Sequence, residues 1–202
     1  MTPKIKICGI TNREDARLAA ELGADMLGFI FYAKSPRAVR REVMPGMPAG
    51  VERVGVFVNE SEAEIRRTVQ ECRLTMVQLH GEESPEFCRR MPVKVVKAVR
   101  VKDEKSLQAA AEYDVDALLL DTYTAGQHGG TGQVFDWSLA VKAKTILKVP
   151  VILSGGLTPE NVAEAIRVVQ PYAVDVASGV EREPGKKDPD KLRRFFEACK
   201  KN

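Results

Sequence analysis

Cys8 ends the first apolar segment of the chain, Lys4-Ile5-Lys6-Ile7-Cys8, and Gly9 and a helix start at Thr11-Asn12 follow at once. A thiol so placed stands at the carboxyl end of a strand, the rim on which a parallel α/β protein collects catalytic groups. By residue type alone a cysteine is more often a small buried hydrophobe, so the rest of the chain must decide. Asp121 ends a second such segment, Asp116-Ala117-Leu118-Leu119-Leu120-Asp121, where a solvated surface charge is a poor explanation for a carboxylate closing an all-leucine run. A thiol and a carboxyl on one rim are sufficient for general acid–base chemistry.

An anion site accompanies them. In Ser154-Gly155-Gly156-Leu157-Thr158-Pro159 paired glycines let bare backbone N–H groups turn toward a ligand, and the run is expected to lead straight into a helix whose amino terminus adds donors and a positive dipole end. Ala177-Ser178-Gly179-Val180 is a second small-residue turn one unit later. Either alone is an ordinary tight turn. Two in succession at the last strands of a barrel form the usual phosphate grip, with Gly155, Gly156, Ser178 and Gly179 as its backbone donors. Three further features belong to the same rim. Arg37 in Ser35-Pro36-Arg37 is either a solvated arginine among Arg40 and Arg41 or a guanidinium fork for a substrate carboxylate. His80 in Gln78-Leu79-His80-Gly81 reads equally as a structural histidine or a ligand contact, and Gln127-His128-Gly129-Gly130-Thr131-Gly132 reads as a lid beside Asp121.

These residues need strands to hold them. Short apolar runs near 4–8, 26–31, 53–58, 75–79, 93–98, 116–121, 149–153 and 173–177 read as buried strands. Between them run helical patterns over 13–22, 61–71, 84–91, 103–111, 136–143, 159–169 and 189–199, with a short basic piece near 39–43. Ser61, Ser84, Asp103 and Thr158 are the expected caps, and Pro85 and Pro159 the expected first helical residues. Strict β-α alternation implies a parallel sheet under helices; eight units fit a closed (β/α)₈ TIM barrel better than a doubly wound open sheet. The whole chain, 1–202, is then one domain near the lower limit of about 200 residues for that fold. Strand parity places Lys4, Lys6 and Cys8 on one face, turned into the barrel, and Ile5 and Ile7 on the other, under the helices.

Composition narrows the partners. Thirty-one basic residues against 28 acidic ones, spread without a Lys/Arg block, argue against nucleic acid and leave room for a small anionic ligand. The absence of a long apolar run or a secretory segment points to a cytoplasmic protein that does not engage membranes. Cys8, Cys72, Cys88 and Cys199 are too scattered for a zinc site or redox pair, and neither phosphate-loop nor dinucleotide-binding signatures occur, so no metal or nucleotide cofactor is expected. Monomer and homodimer both stay open.

Taken together, Lys6-Ile7-Cys8-Gly9-Ile10-Thr11, Ser35-Pro36-Arg37, Val77-Gln78-Leu79-His80-Gly81, the stretch from Gly129 to Trp137, and Leu153-Ser154-Gly155-Gly156-Leu157 closely resemble the phosphoribosylanthranilate isomerase family along the whole chain. The resemblance implies a cofactor-free Amadori rearrangement of N-(5-phosphoribosyl)anthranilate in tryptophan biosynthesis. It implies Cys8 as general base, Asp121 as general acid, Arg37 against the anthranilate carboxylate, and the 155–156 and 178–179 backbones on the phosphate. His80 and Asp175 carry over as substrate-binding residues. That chemistry needs a deprotonated thiol and a protonated carboxyl, each the reverse of its ordinary state near neutrality. Lys6 and the helix start after Gly9 are therefore expected to lower the thiol pKa, and burial in an apolar barrel end to raise that of Asp121. The related isomerase of histidine synthesis carries a carboxylate where Cys8 stands, and a non-catalytic phosphosugar-binding barrel would need neither Cys8 nor Asp121.

Overall fold

Runs of valine, leucine and isoleucine that are buried on both faces can satisfy their backbone only by pairing with one another, and here they pair in a ring. The computed structural model describes residues 2–44, 46–121 and 137–200. Eight parallel strands, β1 (Lys4–Cys8), β2 (Met26–Ile30), β3 (Glu52–Phe57), β4 (Met76–Leu79), β5 (Lys94–Arg100), β6 (Ala117–Asp121), β7 (Val151–Ser154) and β8 (Ala173–Val176), follow one another in chain order. The ring closes by pairing β1 with β8, Ile7 opposite Val176. The fold is the expected (β/α)₈ barrel.

Parity holds along the strands. Met26, Val54, Met76, Val96, Ala98, Ala117, Leu119, Ile152 and Ala173 form an inner cluster that fills the barrel. Ile5, Ile7, Leu118, Leu120, Leu153 and Val174 belong to the larger cluster between strands and helices. The same alternation carries Cys8, Gln78, Asp121, Ser154 and Asp175 to the inner side at the carboxyl ends. Burial of apolar surface in these two layers is the main driving force for closure.

The outer layer consists of α1 (Arg13–Leu22), α2 (Glu62–Cys72), α3 (Pro85–Arg89), α4 (Glu104–Ala110), α5 (Ser138–Ile146), α6 (Val162–Val169) and α7 (Pro189–Lys200). Asn12, Ser61, Ser84 and Asp103 accept the N–H three residues on, so three of the four expected caps act as such, with Pro85 at the start of α3. Two expectations are corrected. The basic piece near 39–43 is only a three-residue 3₁₀ turn, Arg41–Val43, beside which Val39, Met44 and Met47 pack into the core; a segment this short has no room to nucleate an α-helix. Helix α6 begins at Val162 rather than Pro159, because Asn161 folds back: its Oδ1 accepts from Thr158 N–H at 2.8 Å and its Nδ2 donates to Gly156 C=O at 3.0 Å.

After β8 the chain makes a 3₁₀ turn, Ser178–Val180, and a small antiparallel hairpin, β9 (Glu181–Glu183) and β10 (Lys186–Lys187), before α7. Gly185, at φ +81°, makes the turn, and Thr11 Oγ1 donates to its carbonyl, fastening the hairpin to the loop after β1. No helix among the described residues is long and apolar enough to cross a membrane.

Candidate active site

The inward-facing ends of the strands surround a cavity of about 240 Å³ lined by Cys8, Arg37, Gln78, His80, Asp121, Ser154, Gly155, Gly156, Asp175 and Ser178, among others. Of the expected site residues all but Gly179, which follows Ser178 in the turn after β8, line this cavity. The lid expected over 127–132, and most of the stretch from Gly129 to Trp137, lie outside the described residues.

Cys8 is buried, and it fits because Gly28 stands opposite it in the β1–β2 register: a Cβ at Gly28 would lie 2.8 Å from Cys8 Sγ. Lys6, fully buried one step below, donates to Asp175 Oδ1 at 2.8 Å, and Ser154 Oγ donates to Asp175 Oδ2 at 3.0 Å. Burial pulls the Lys6 ammonium down, but Asp175 and Cys8 outweigh it and its pKa lies above the ordinary lysine value. For Cys8 burial is the largest influence and pushes the thiol up; the Lys6 charge works against it, Asp175 with it, and the outcome lies above the ordinary thiol value. The expectation of a lowered thiol pKa is thus corrected: Lys6 acts in the expected direction, but desolvation is the larger effect.

The sign can be tested. Replacing Lys6 with methionine removes the nearest cation and leaves Asp175 beside the thiol, so both changes disfavour the thiolate. Alkylation of Cys8, followed by peptide mass mapping against pH, should shift to higher pH in Lys6→Met; an unchanged profile would show that Lys6 has no hold on the thiol.

Across the mouth, Asp121 Oδ2 lies 3.5 Å from His80 Nε2. The Gln78 amide lies 2.8 Å from His80 Nδ1 and holds the ring from the other side. The Asp121 side chain keeps 23% of its exposure, so its surroundings are a partly open rim with a histidine neighbour rather than the apolar enclosure anticipated. His80 itself is held by its strand and by a buried anchor. Lys97 on β5 donates to Leu79 C=O, Gly81 C=O and Glu83, and Glu83 accepts from the N–H groups of Asn59 and Gly81. Glu83 is consequently not a carboxylate on the rim.

The anion cradle stands on backbone geometry. Gly155 and Gly156 have φ +91° and +66°, and the space where a Gly156 Cβ would sit is open to 4 Å. Neither N–H donates to an acceptor among the described residues. Gly179 serves differently: a Cβ there would lie 1.9 Å from Leu157 C=O, so its role is to let the turn after β8 pack on the turn after β7. Because α6 starts late, its dipole stands a turn behind the glycines, and the cradle is built chiefly of loop N–H groups.

Arg37 reaches the cavity across Gly9, whose missing Cβ would fall 2.7 Å from Arg37 Cδ. It does not stand alone. Glu181 takes its Nε and Nη2 edge at 2.9 and 2.7 Å, and Lys187 binds the same carboxylate at 2.9 Å. Gln78 and Ser154 lie within the rim motifs read from the sequence but carried no role there, and Glu181, Lys187 and the Lys97–Glu83 pair were not legible as site residues, since nothing in their local sequence marks them. The one available hint was charge at positions whose parity or neighbours are apolar. No group of three or more His, Cys, Asp or Glu side chains suited to a metal converges among the described residues.

A thiol, a carboxyl with a histidine, a guanidinium and a bare-backbone cradle around one small cavity suit proton transfer on a monophosphorylated sugar that bears a carboxylate. Comparison with known proteins agrees. The family model described as N-(5'phosphoribosyl)anthranilate (PRA) isomerase matches residues 5–198. N-(5'-phosphoribosyl)anthranilate isomerase from Citrifermentans bemidjiense is 51% identical over 98% of this chain and 97% of its own, and that from Geobacter sulfurreducens is 49% identical over 98% of each. The crystal structure of phosphoribosyl anthranilate isomerase from Thermotoga maritima superimposes with a TM-score of 0.89 at 45% identity over 98% of both chains. A structure of such an isomerase in complex with reduced 1-(o-carboxyphenylamino)-1-deoxyribulose 5-phosphate gives 0.85 at 43% identity, again over 98% of both. With sequence and fold matched over nearly its full length, the chain belongs to the N-(5'-phosphoribosyl)anthranilate isomerase family.

Proposed function

We propose that the chain, acting as a single domain, isomerises N-(5'-phosphoribosyl)anthranilate to 1-(2-carboxyphenylamino)-1-deoxyribulose 5-phosphate, with Cys8 as base and Asp121 as acid. Asp121 gives its proton to the furanose ring oxygen as the nitrogen lone pair forms the C1 Schiff base. The Cys8 thiolate then takes the C2 proton, leaving an enolamine that becomes the ketone by gaining a proton at C1 while its C2 hydroxyl loses one. The proton gained by the ring oxygen is matched by the one lost from C2, and the one gained at C1 by the one lost from the C2 hydroxyl, so the product is an isomer of the substrate and no redox partner is required. His80, beside Asp121, holds the carboxyl toward the sugar; Asp175 keeps Lys6 beneath the thiol and faces the sugar from β8; Arg37 takes the anthranilate carboxylate; the N–H groups of Gly155, Gly156, Ser178 and Gly179 take the phosphate. The observation that carries this reading is the convergence of Cys8, Asp121, Arg37 and the glycine cradle on one cavity.

The test is loss of anthranilate-type fluorescence with freshly made substrate, run beside the bis-phosphorylated aminoaldose of histidine synthesis. A second phosphate needs a second cradle opposite β7 and β8. The turns there, Val58-Asn59-Glu60-Ser61 and His80-Gly81-Glu82-Glu83-Ser84, lack paired glycines and keep Glu60 and Glu82 nearby, although Glu83 is sequestered by Lys97. Turnover of the monophosphate alone is expected; comparable efficiency on both would overturn the single-phosphate assignment, and binding without turnover would leave only a phosphosugar-binding barrel.

A further inference from the structure

We propose that Glu181 and Lys187 are positioning residues that fix the orientation and the net charge with which Arg37 meets the substrate carboxylate. The inference rests on the reading of Arg37 as that carboxylate's partner. An arginine bound side-on by its own carboxylate is at first sight a poor anion receptor, because the pair is neutral and its glutamate repels a second anion. Here a second cation changes the balance. Lys187 is fully buried, and its Nζ donates to Glu181 Oε1 at 2.9 Å, to Cys8 C=O at 2.6 Å and to Ala177 C=O at 3.2 Å. Three oxygen acceptors call for three N–H donors, which only the ammonium form supplies. Burial lowers its pKa, and Glu181 opposes that.

The cluster therefore holds two cations against one carboxylate, leaving one positive charge to be answered by the ligand. Glu181 is itself nearly buried and also accepts from Gly185 N–H at 3.3 Å, so its position is set by the β9–β10 hairpin rather than by Arg37. With Nε and one Nη2 hydrogen committed to Glu181, the guanidinium presents its remaining edge in one fixed plane, suited to a bidentate carboxylate. The bond from Lys187 to Cys8 C=O ties the end of β1 to the same hairpin, so the clamp and the base are located by one buried group.

The experiment measures, by calorimetry, binding of reduced 1-(o-carboxyphenylamino)-1-deoxyribulose 5-phosphate and of its counterpart without the ring carboxyl. Lys187→Met should weaken the carboxylated ligand by about 10- to 100-fold and the carboxyl-free one by no more than about threefold. The double variant Glu181→Gln/Lys187→Met restores the single net charge and keeps an acceptor for Arg37, so it should recover the carboxylated ligand to within about fivefold of the parent. Equal losses on both ligands, no loss, or a double variant as weak as the single one would overturn the inference. Should Lys187→Met fail to fold, the double variant decides: a larger loss confined to the carboxylated ligand counts against the charge balance. Arg37→Ala separates the two levels. If it costs both ligands equally, Arg37 does not bind the carboxylate at all; if it discriminates while Lys187→Met does not, the clamp stands and only the role of Lys187 falls.

Discussion

Replacing Cys8 with alanine or Asp121 with asparagine should each lower kcat by about 10²-fold or more, while affinity for the product changes by only a few fold. Both substitutions preserve approximate shape and delete one of the two groups proposed to transfer protons. The two residues lie at the ends of β1 and β6, far apart in the ring yet facing one cavity, so neither can take over the other's step. A residue that acts in the transition state without holding the ground state lowers kcat and kcat/KM together. Since burial raises the Cys8 thiol, the thiolate is scarce near neutrality, and kcat/KM of the parent should climb with pH until the thiol has titrated. Near-native turnover in either variant would remove that residue from its role.

Gly156→Asp should weaken binding of a phosphorylated ligand by about 10²-fold, through both a side chain in the cradle and a negative charge facing the phosphate. A dephosphorylated analogue should bind almost as before. The site tolerates the change structurally, because the Cβ position meets nothing within 4 Å and aspartate is among the residues that accept a left-handed backbone. The strain at φ +66° costs about 1 kcal/mol, a fall of about 2–4 °C in Tm for a chain of this size. The measurement is a pair of titrations, with and without the phosphate, beside a thermal melt. Equal loss on both ligands would mean that the turn is structural only. Gly179 offers the contrast, since any side chain there collides with the Leu157 carbonyl and would part the two turns that make the cradle.

The chain's local periodicities determined more of this protein than its individual partners did. Eight apolar runs with helices between them specify a barrel, and the two-residue period of a strand decides that Cys8, Asp121 and Asp175 point inward while Ile5 and Ile7 do not. Short polar caps and paired glycines act within a few residues, so Ser61, Ser84, Asp103 and the turn at 155–156 could be read directly. Where a neighbour a few residues away intervened, as Asn161 does at Thr158, the helix start slipped. Tertiary structure alone decided the electrostatics. Lys6 meets Asp175 across 169 residues, Arg37 meets Glu181 across 144, and Lys187 meets the Cys8 carbonyl across 179. No local pattern encodes such pairs, because each side chain's position is set by its own strand or turn and their meeting by closure of the ring. The depth of burial that raises the Cys8 thiol also belongs to the closed barrel, for desolvation is a property of everything packed around a group rather than of the residues beside it in sequence.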